Sequence, residues 1–156
     1  MLTVSDGVHH GTREDRSGDT LVALLEGEGF TVERLVVPDE EDEIAAAIAG
    51  LADHSPLVLT TGGTGFSPRD VTPEATRTVL DREAPGIAEA IRADAMQRTP
   101  HALLSRGVAG LRHATLVVNL PGSPGGCRDG FAVLQPALHH GIELAAGDQS
   151  SRHSQT

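Results

Sequence analysis

Residues 56–65 read Pro-Leu-Val-Leu-Thr-Thr-Gly-Gly-Thr-Gly: a short unbroken apolar run that enters a turn with three glycines in its last five residues, Thr61 to Gly65. A run of this length without polar alternation suits a strand buried on both faces, the habit of parallel sheets. The glycines permit positive φ and close approach of a ligand to the main chain. Bare N–H groups in such a turn can hold phosphate without lysine. Tight strand-to-helix turns also use glycine, so the turn takes its meaning from its neighbours. Thr115-Leu116-Val117-Val118-Asn119-Leu120 repeats the pattern and enters Pro121-Gly122-Ser123-Pro124-Gly125-Gly126, a second loop whose prolines fix its shape.

Toward the N-terminus, Leu2–Val4 is a very short apolar run ahead of Ser5-Asp6-Gly7, with Met1-Leu2 lying almost at the loop. Thr31–Val37 is β-branched and ends at Pro38-Asp39, so it reads as a strand. Between these runs lie amphipathic segments. One opens at Ser17-Gly18-Asp19, carries Leu21, Leu24 and Leu25 on one face, and closes at Gly27 and Gly29. Another follows the acidic run 39–43, which suits a helix N-terminus, and carries Ile44, Ile48 and Leu51. Thr72-Pro73-Glu74 predicts a helix start with Thr72 as N-cap and Pro73 at the first helical position. A helix over Ala84–Arg98 is stopped by Thr99-Pro100, Ala102–Ser105 is a further short apolar piece, and a last helix carries Phe131, Leu134, Leu138 and Ile142.

Strands alternating with helices predict an α/β fold of three layers: a mostly parallel sheet with helices on both faces. Ligands of such folds bind beyond the carboxyl ends of the strands. All four candidate strands end in loops of Gly, Ser, Asp or Pro, and these loops are expected to face one crevice. The domain is expected to span residues 1–146, followed by a polar, disordered tail over 147–156.

Composition narrows the function. The net charge is −10, there is no basic cluster, and the aromatics are three Phe with no Tyr or Trp. Neither a phosphate-backbone surface nor a base-stacking platform is available, so no nucleic-acid partner is expected. All twelve basic residues are Arg, which excludes the lysine of a P-loop and Schiff-base chemistry. A single cysteine, Cys127, excludes an internal disulfide framework and a multi-cysteine metal site. It reads as a structural thiol. No apolar stretch is long enough to span a membrane and the N-terminus is no signal peptide, so a cytoplasmic location is expected.

The chemistry gathers at the loops. Asp70 lies five residues beyond the glycine turn and suits no core. A carboxylate beside a phosphate cradle repels phosphate unless a cation lies between, and Mg²⁺ takes one or two carboxylates plus phosphate oxygens. Asp39, at the neighbouring strand end, can supply the second. Arg69 reads either as an aid to a phosphate or as a surface ion-pair partner. The pairs His9-His10 and His139-His140 read as exposed or packing residues, since adjacent side chains do not converge on one ion. A serine hydrolase lacks support, because no Gly-x-Ser-x-Gly elbow is present.

The motifs taken together resemble the MogA/MoaB family of molybdenum-cofactor synthesis, to which domains in gephyrin and in plant molybdenum-insertion proteins are related. They are Ser5-Asp6-Gly7, Asp15-Arg16-Ser17-Gly18, Val37-Pro38-Asp39-Glu40, Thr61–Phe66, Pro68–Thr76, Leu104-Ser105-Arg106 and Asn119–Pro124. The likeness covers residue 2 to about 145. It implies a molybdopterin adenylyltransferase that uses ATP and Mg²⁺, works as a homotrimer and hands its product to a molybdenum-insertion enzyme. By position, Asp39 and Asp70 match the family's catalytic, metal-associated aspartates. Thr61, Gly62, Gly63, Thr64, Gly65, Pro121 and Gly122 match nucleotide and phosphate loops. Ser5, Asp6 and Ser105 match positions lining the pterin pocket. A pterin-binding module without adenylylation, a trimeric scaffold and a relative in the CinA group are the alternatives. The presence of both aspartates favours the enzyme, and Arg69–Glu74 fits MogA/MoaB better than CinA.

Overall fold

The computed structural model describes residues 1–147. The expected tail therefore lies outside the described residues, except for Gly147. Six strands form one sheet in the order β2-β1-β3-β6-β5-β4: β1 (Leu2–Val4), β2 (Leu35–Val37), β3 (Leu57–Thr61), β4 (Arg82–Glu83), β5 (Ala109–Arg112) and β6 (Thr115–Leu120). The four strands β2, β1, β3 and β6 are parallel to one another; β5 pairs antiparallel with β6, and β4 antiparallel with β5.

Alternation along the central strands divides the core between the two faces of the sheet. Leu59, Leu116, Val118 and Leu120 pack with Leu21, Ile91, Phe131 and Leu138. These come from α2 (Arg16–Gly27), α5 (Pro85–Met96) and α6 (Pro124–Ala145). Val58 and Val117 point the other way, with Leu2 and Val4, onto Ile44, Ile48 and Ala75. Those helix residues belong to α3 (Glu41–Ala52) and α4 (Thr72–Val79). The expected three layers are thus present. No helix among the described residues is long and apolar enough to cross a membrane.

Several local expectations are corrected. The strand expected over 31–37 is confined to Leu35–Val37, because β1 offers only the three rungs Leu2, Thr3 and Val4. Ser5-Asp6-Gly7 opens a one-turn helix, α1 (Asp6–His9), capped by the Ser5 hydroxyl, which accepts from Val8 N–H at 3.2 Å. The apolar piece Ala102–Leu104 belongs to a 3-10 turn, Pro100–Leu104, with Ser105 just after it. Thr72 is not the N-cap of α4. Val71 holds that place, and Thr72 is the first helical residue. Its hydroxyl donates instead to the Gly62 carbonyl at 2.9 Å.

Candidate functional site

The order β2-β1-β3 makes β1 and β3 the point where the chain's winding reverses, and the crevice of such sheets opens at the carboxyl ends there. Thr61 ends β3 with its hydroxyl turned to the Pro121 carbonyl at 2.7 Å, which ties the two glycine loops together. Gly62 and Gly63 then take φ of +98° and +69°, values that L side chains rarely adopt. The Thr72 N–H closes the turn on the Gly63 carbonyl at 3.1 Å. A buried amide supports this arrangement from below. Asn119 Nδ2 donates to Thr60 Oγ1 and to Thr76 Oγ1, each at 3.0 Å, and its Oδ1 accepts from Val108 N–H at 3.1 Å.

Two cavities lie over the strand ends. The first, about 600 Å³, is lined by Ser5, Arg13, Asp15, Ser17 and Asp39 together with Thr61 and Gly62. The second, about 590 Å³, is lined by Thr64, Gly65, Ile91, Leu104, Ser105 and Pro121. They meet along a seam, since Gly63, Asp70 and Gly122 line both.

Asp39 and Asp70 flank the glycine turn. Asp39 Oδ1 lies 3.3 Å from where a β-carbon on Gly63 would stand, and Asp70 Oδ2 lies 2.9 Å from the equivalent point on Gly65. Asp70 Oδ2 also accepts from Ser67 N–H at 3.0 Å. Burial raises the Asp39 carboxyl above the ordinary carboxylate value; a hydrogen bond from Asp6 N–H opposes this, and the charges of Asp6 and Asp70 add to the rise. Negative charge is thus concentrated beside the glycine turn, with Asp70 at the seam and Asp39 in the first cavity. Asp6 differs. The Arg69 guanidinium holds its carboxyl below the usual range, with the Asp39 N–H contributing. Arg69 grips Asp6 through two bonds, Nε–Oδ2 at 3.1 Å and Nη2–Oδ1 at 3.0 Å, and reaches Glu40 at 3.0 Å. Of the two readings of Arg69, the ion-pair partner is the one realised.

Asp6 and Asp39 also cap one another: Asp6 N–H donates to Asp39 Oδ2 at 2.8 Å, and Asp39 N–H to Asp6 Oδ1 at 3.0 Å. Asp6 lines neither cavity, because its carboxylate is turned to Arg69 and the Asp39 main chain. Ser5 and Ser105 stand in different cavities, and the residues expected at nucleotide and phosphate loops are divided between both. Three contributors carried no separable signal in the sequence. Asp15, inside a family-like motif, caps α2 by accepting from Gly18 N–H at 3.0 Å and accepts the Thr3 hydroxyl at 2.7 Å. Asn119 and Arg106 are the others, and their partners come from distant elements.

Cys127 lies buried under the site, its Sγ 3.3 Å from Thr61 Oγ1 and 3.2 Å from the Pro121 carbonyl. Burial pushes its thiol up to about 11, leaving roughly one thiol in a thousand ionised at pH 8. Iodoacetamide at pH 8 is therefore expected to label the folded protein about 10²-fold more slowly than glutathione, and the urea-unfolded chain at an ordinary rate. Mass spectrometry over time reads the difference. Rapid labelling of the folded protein would contradict the structural role of this thiol.

Fold and site together define an α/β protein with a double, glycine-lined pocket at the carboxyl ends of its parallel strands. A family profile described as a probable molybdopterin binding domain matches residues 1–140. The chain is 37% identical to the molybdopterin adenylyltransferase of Helicobacter pylori (strain J99 / ATCC 700824), an alignment covering 95% of this chain and 87% of that protein. It is 42% identical to gephyrin of Dictyostelium discoideum over 92% of its own length, spanning 22% of that longer protein. Among solved structures, the molybdopterin biosynthesis enzyme MoaB of Thermus thermophilus is similar with a TM-score of 0.87 and 47% identity, covering 94% of each chain. The chain belongs to the molybdopterin-binding domain family of molybdenum-cofactor biosynthesis, which includes the MogA and MoaB proteins.

Proposed function

We propose that the protein is a molybdopterin adenylyltransferase, transferring AMP from ATP to the terminal phosphate of molybdopterin. A phosphate oxygen of the pterin attacks the α-phosphorus, a new phosphoanhydride forms, and the bond to the β-phosphate breaks with release of pyrophosphate. The observation that carries this reading is the seam. Two cavities of similar size, each able to hold one reactant, meet at Gly63, Asp70 and Gly122. Phosphates held from either side come together there and nowhere else along the two cavities.

Both reactants are anions, and the chain adds the Asp70 carboxylate at their meeting point and the Asp39 carboxylate beside it in the first cavity. Such an arrangement is stable only with a cation. Among the described residues no three His, Cys, Asp or Glu side chains converge as a metal cage. Two aspartates beside a phosphate cradle match what Mg²⁺ requires, since it takes few protein ligands and completes its shell with phosphate and water. Asp39 and Asp70 would hold it, and when bound it supplies charge neutralisation at the reacting phosphates. Main-chain N–H groups of Thr61 to Gly65 and of Gly122 hold and orient phosphate oxygens. The family resemblance puts both Ser5 and Ser105 at the pterin; because Ser5 lines the first cavity and Ser105 the second, one of them contacts the pterin body and the other the nucleotide. Asp6 acts through its neighbours, fixing Asp39 by main-chain hydrogen bonds and occupying Arg69. No protein nucleophile is needed, because positioning and neutralisation carry phosphoryl-type transfers.

Assembly as a homotrimer is part of the proposal; exposed apolar side chains at Phe66 and Leu103, 67% and 66% accessible, are surface that a second copy would cover. So are a cytoplasmic setting and delivery of the adenylylated pterin to a molybdenum-insertion enzyme, which suit a reactive anhydride intermediate. Incubation with molybdopterin, Mg²⁺ and ATP labelled at the α-phosphate is expected to give labelled AMP–pterin adduct and unlabelled pyrophosphate. Retention of the pterin with no ATP consumed would refute the enzyme in favour of a binding module.

A further inference from the structure

We infer that Arg106 is a positioning residue for the reaction: it locks the segment Gly65–Asp70 so that the Asp70 carboxylate is held toward the seam. The inference rests on the reading of Asp70 as a cation-holding carboxylate.

Arg106 follows Ser105, a wall of the second cavity, yet its own contacts run to the glycine turn and to the segment that leads from it into α4. Its N–H donates to the Thr64 carbonyl at 2.8 Å. Its Nε donates to the Gly65 carbonyl at 2.8 Å, and its Nη2 to the Asp70 carbonyl at 2.7 Å. Its Nη1 meets the carboxylate of Glu74 in the first turn of α4. One guanidinium therefore grips both ends of a six-residue loop, and Glu74 orients the guanidinium. Within that loop the other restraints are two short-range bonds, Asp70 N–H to the Ser67 carbonyl at 2.9 Å and Ser67 N–H to Asp70 Oδ2, and the ion pairs of Arg69 with Asp6 and Glu40. The bonds at Ser67 shape the turn and the Arg69 side chain ties it to α1 and to Glu40 before α3, but none of these joins the two ends of the loop to each other or to the wall of the second cavity. Arg106 supplies that link.

The chemistry requires arginine. Three acceptors in different directions must be met at once, which the fixed planar fork of a guanidinium can do and an ammonium cannot. The main-chain carbonyls are uncharged, so the group is not spent on neutralising a phosphate. Among the described residues its ionic partner is Glu74; burial disfavours the Glu74 carboxylate, and the Arg106 hydrogen bond still holds the carboxyl below its ordinary value. The arrangement is a buckle: remove the fork and the Asp70 carboxylate keeps its turn but loses its fixed distance from the opposite aspartate. A ligand supported by a second layer of hydrogen bonds typically loses about 10–100-fold in metal affinity when that layer is removed.

The test measures cation binding directly as well as turnover. Mn²⁺ is titrated into the full chain by electron paramagnetic resonance, with a non-hydrolysable α,β-methylene ATP analogue present, for wild type, Arg106→Gln, Arg106→Lys and Asp70→Asn. Arg106→Gln is expected to weaken Mn²⁺ binding about 10-fold or more. It should lower kcat while KM for molybdopterin stays near wild type, and speed amide exchange across 65–70. Arg106→Lys keeps the charge beside Glu74 but not the fork, and should recover little of the affinity. Should the Gln variant fail to fold, the Lys variant alone carries the same comparison. Mn²⁺ binding at wild-type strength in both Arg106 variants, with Asp70→Asn weakened, overturns the inference and leaves the reading of Asp70 intact. Wild-type binding in Asp70→Asn overturns the reading itself, and the inference with it.

Discussion

Replacing Asp70 by Asn is expected to cut AMP transfer by about 10³-fold or more, the scale on which loss of charge stabilisation at a reacting centre is felt. Melting behaviour should barely change. The substitution alters one charge and almost nothing else. The Ser67 N–H bond to Oδ2 can be accepted equally by an amide oxygen. The Asp70 main chain keeps its bonds to the Ser67 carbonyl and to Arg106. The loop therefore survives while the cation loses half of its protein ligands. The seam is also the one place where both cavities require the same side chain, so binding of either reactant alone should be less affected than their reaction. Single-turnover kinetics with labelled ATP, set beside thermal unfolding of the same sample, separate these effects. Turnover within a few-fold of wild type in Asp70→Asn would remove the cation from the mechanism.

Gly62→Ala is expected to destabilise the fold by at least about 3 kcal/mol. At 2–4 °C per kcal/mol for a chain of this size, that is a fall in Tm of roughly 6 °C or more. Two independent causes add. The residue sits at φ +98°, where an L side chain is strained whatever the space around it. In addition, its β-carbon would stand on the Val4 carbonyl oxygen, far inside van der Waals contact. That oxygen belongs to the main chain of β1, pinned between β2 and β3, and cannot rotate away as a side chain would. Gly50→Ala is the control. It lies in α3 with open space around it, so the higher helix propensity of alanine should stabilise by up to about 1 kcal/mol. Urea unfolding of the two variants reads the difference. A Gly62→Ala protein as stable as wild type would mean that β1 and β3 do not approach as closely as the sheet requires.

The frame of the fold can be read along the chain. Val58 and Val117 on one side and Leu59 and Val118 on the other are apolar because both faces of their strands are covered, and that demand is written locally, residue by residue. The glycine turn after β3, Asp39 just past β2 and Asp70 just before α4 are legible as chemical oddities in loops that follow strands. The antiparallel edge was not legible. β4 has two residues and therefore no period, and β5 contains Gly110. The two-residue turn joining β5 to β6 is His113-Ala114, with His113 at φ +51°, where the usual Asn-Gly signal is missing.

How the polar groups are shared out is fixed by the folded chain and not before. By sequence Asp6 belongs beside a pocket, yet Arg69 takes it out of both cavities, while Asp39 lines the first cavity and Asp70 the seam. Ser5 and Ser105 part company because β1 and the 3-10 turn lie on opposite sides of the glycine loops. Arg106 acquires its role from partners 32 to 41 residues away. Burial and turn chemistry act over a few neighbouring residues and so leave a pattern along the chain. The direction of a charged side chain depends on which distant acceptor the fold brings within about 3 Å, and no local pattern encodes that choice.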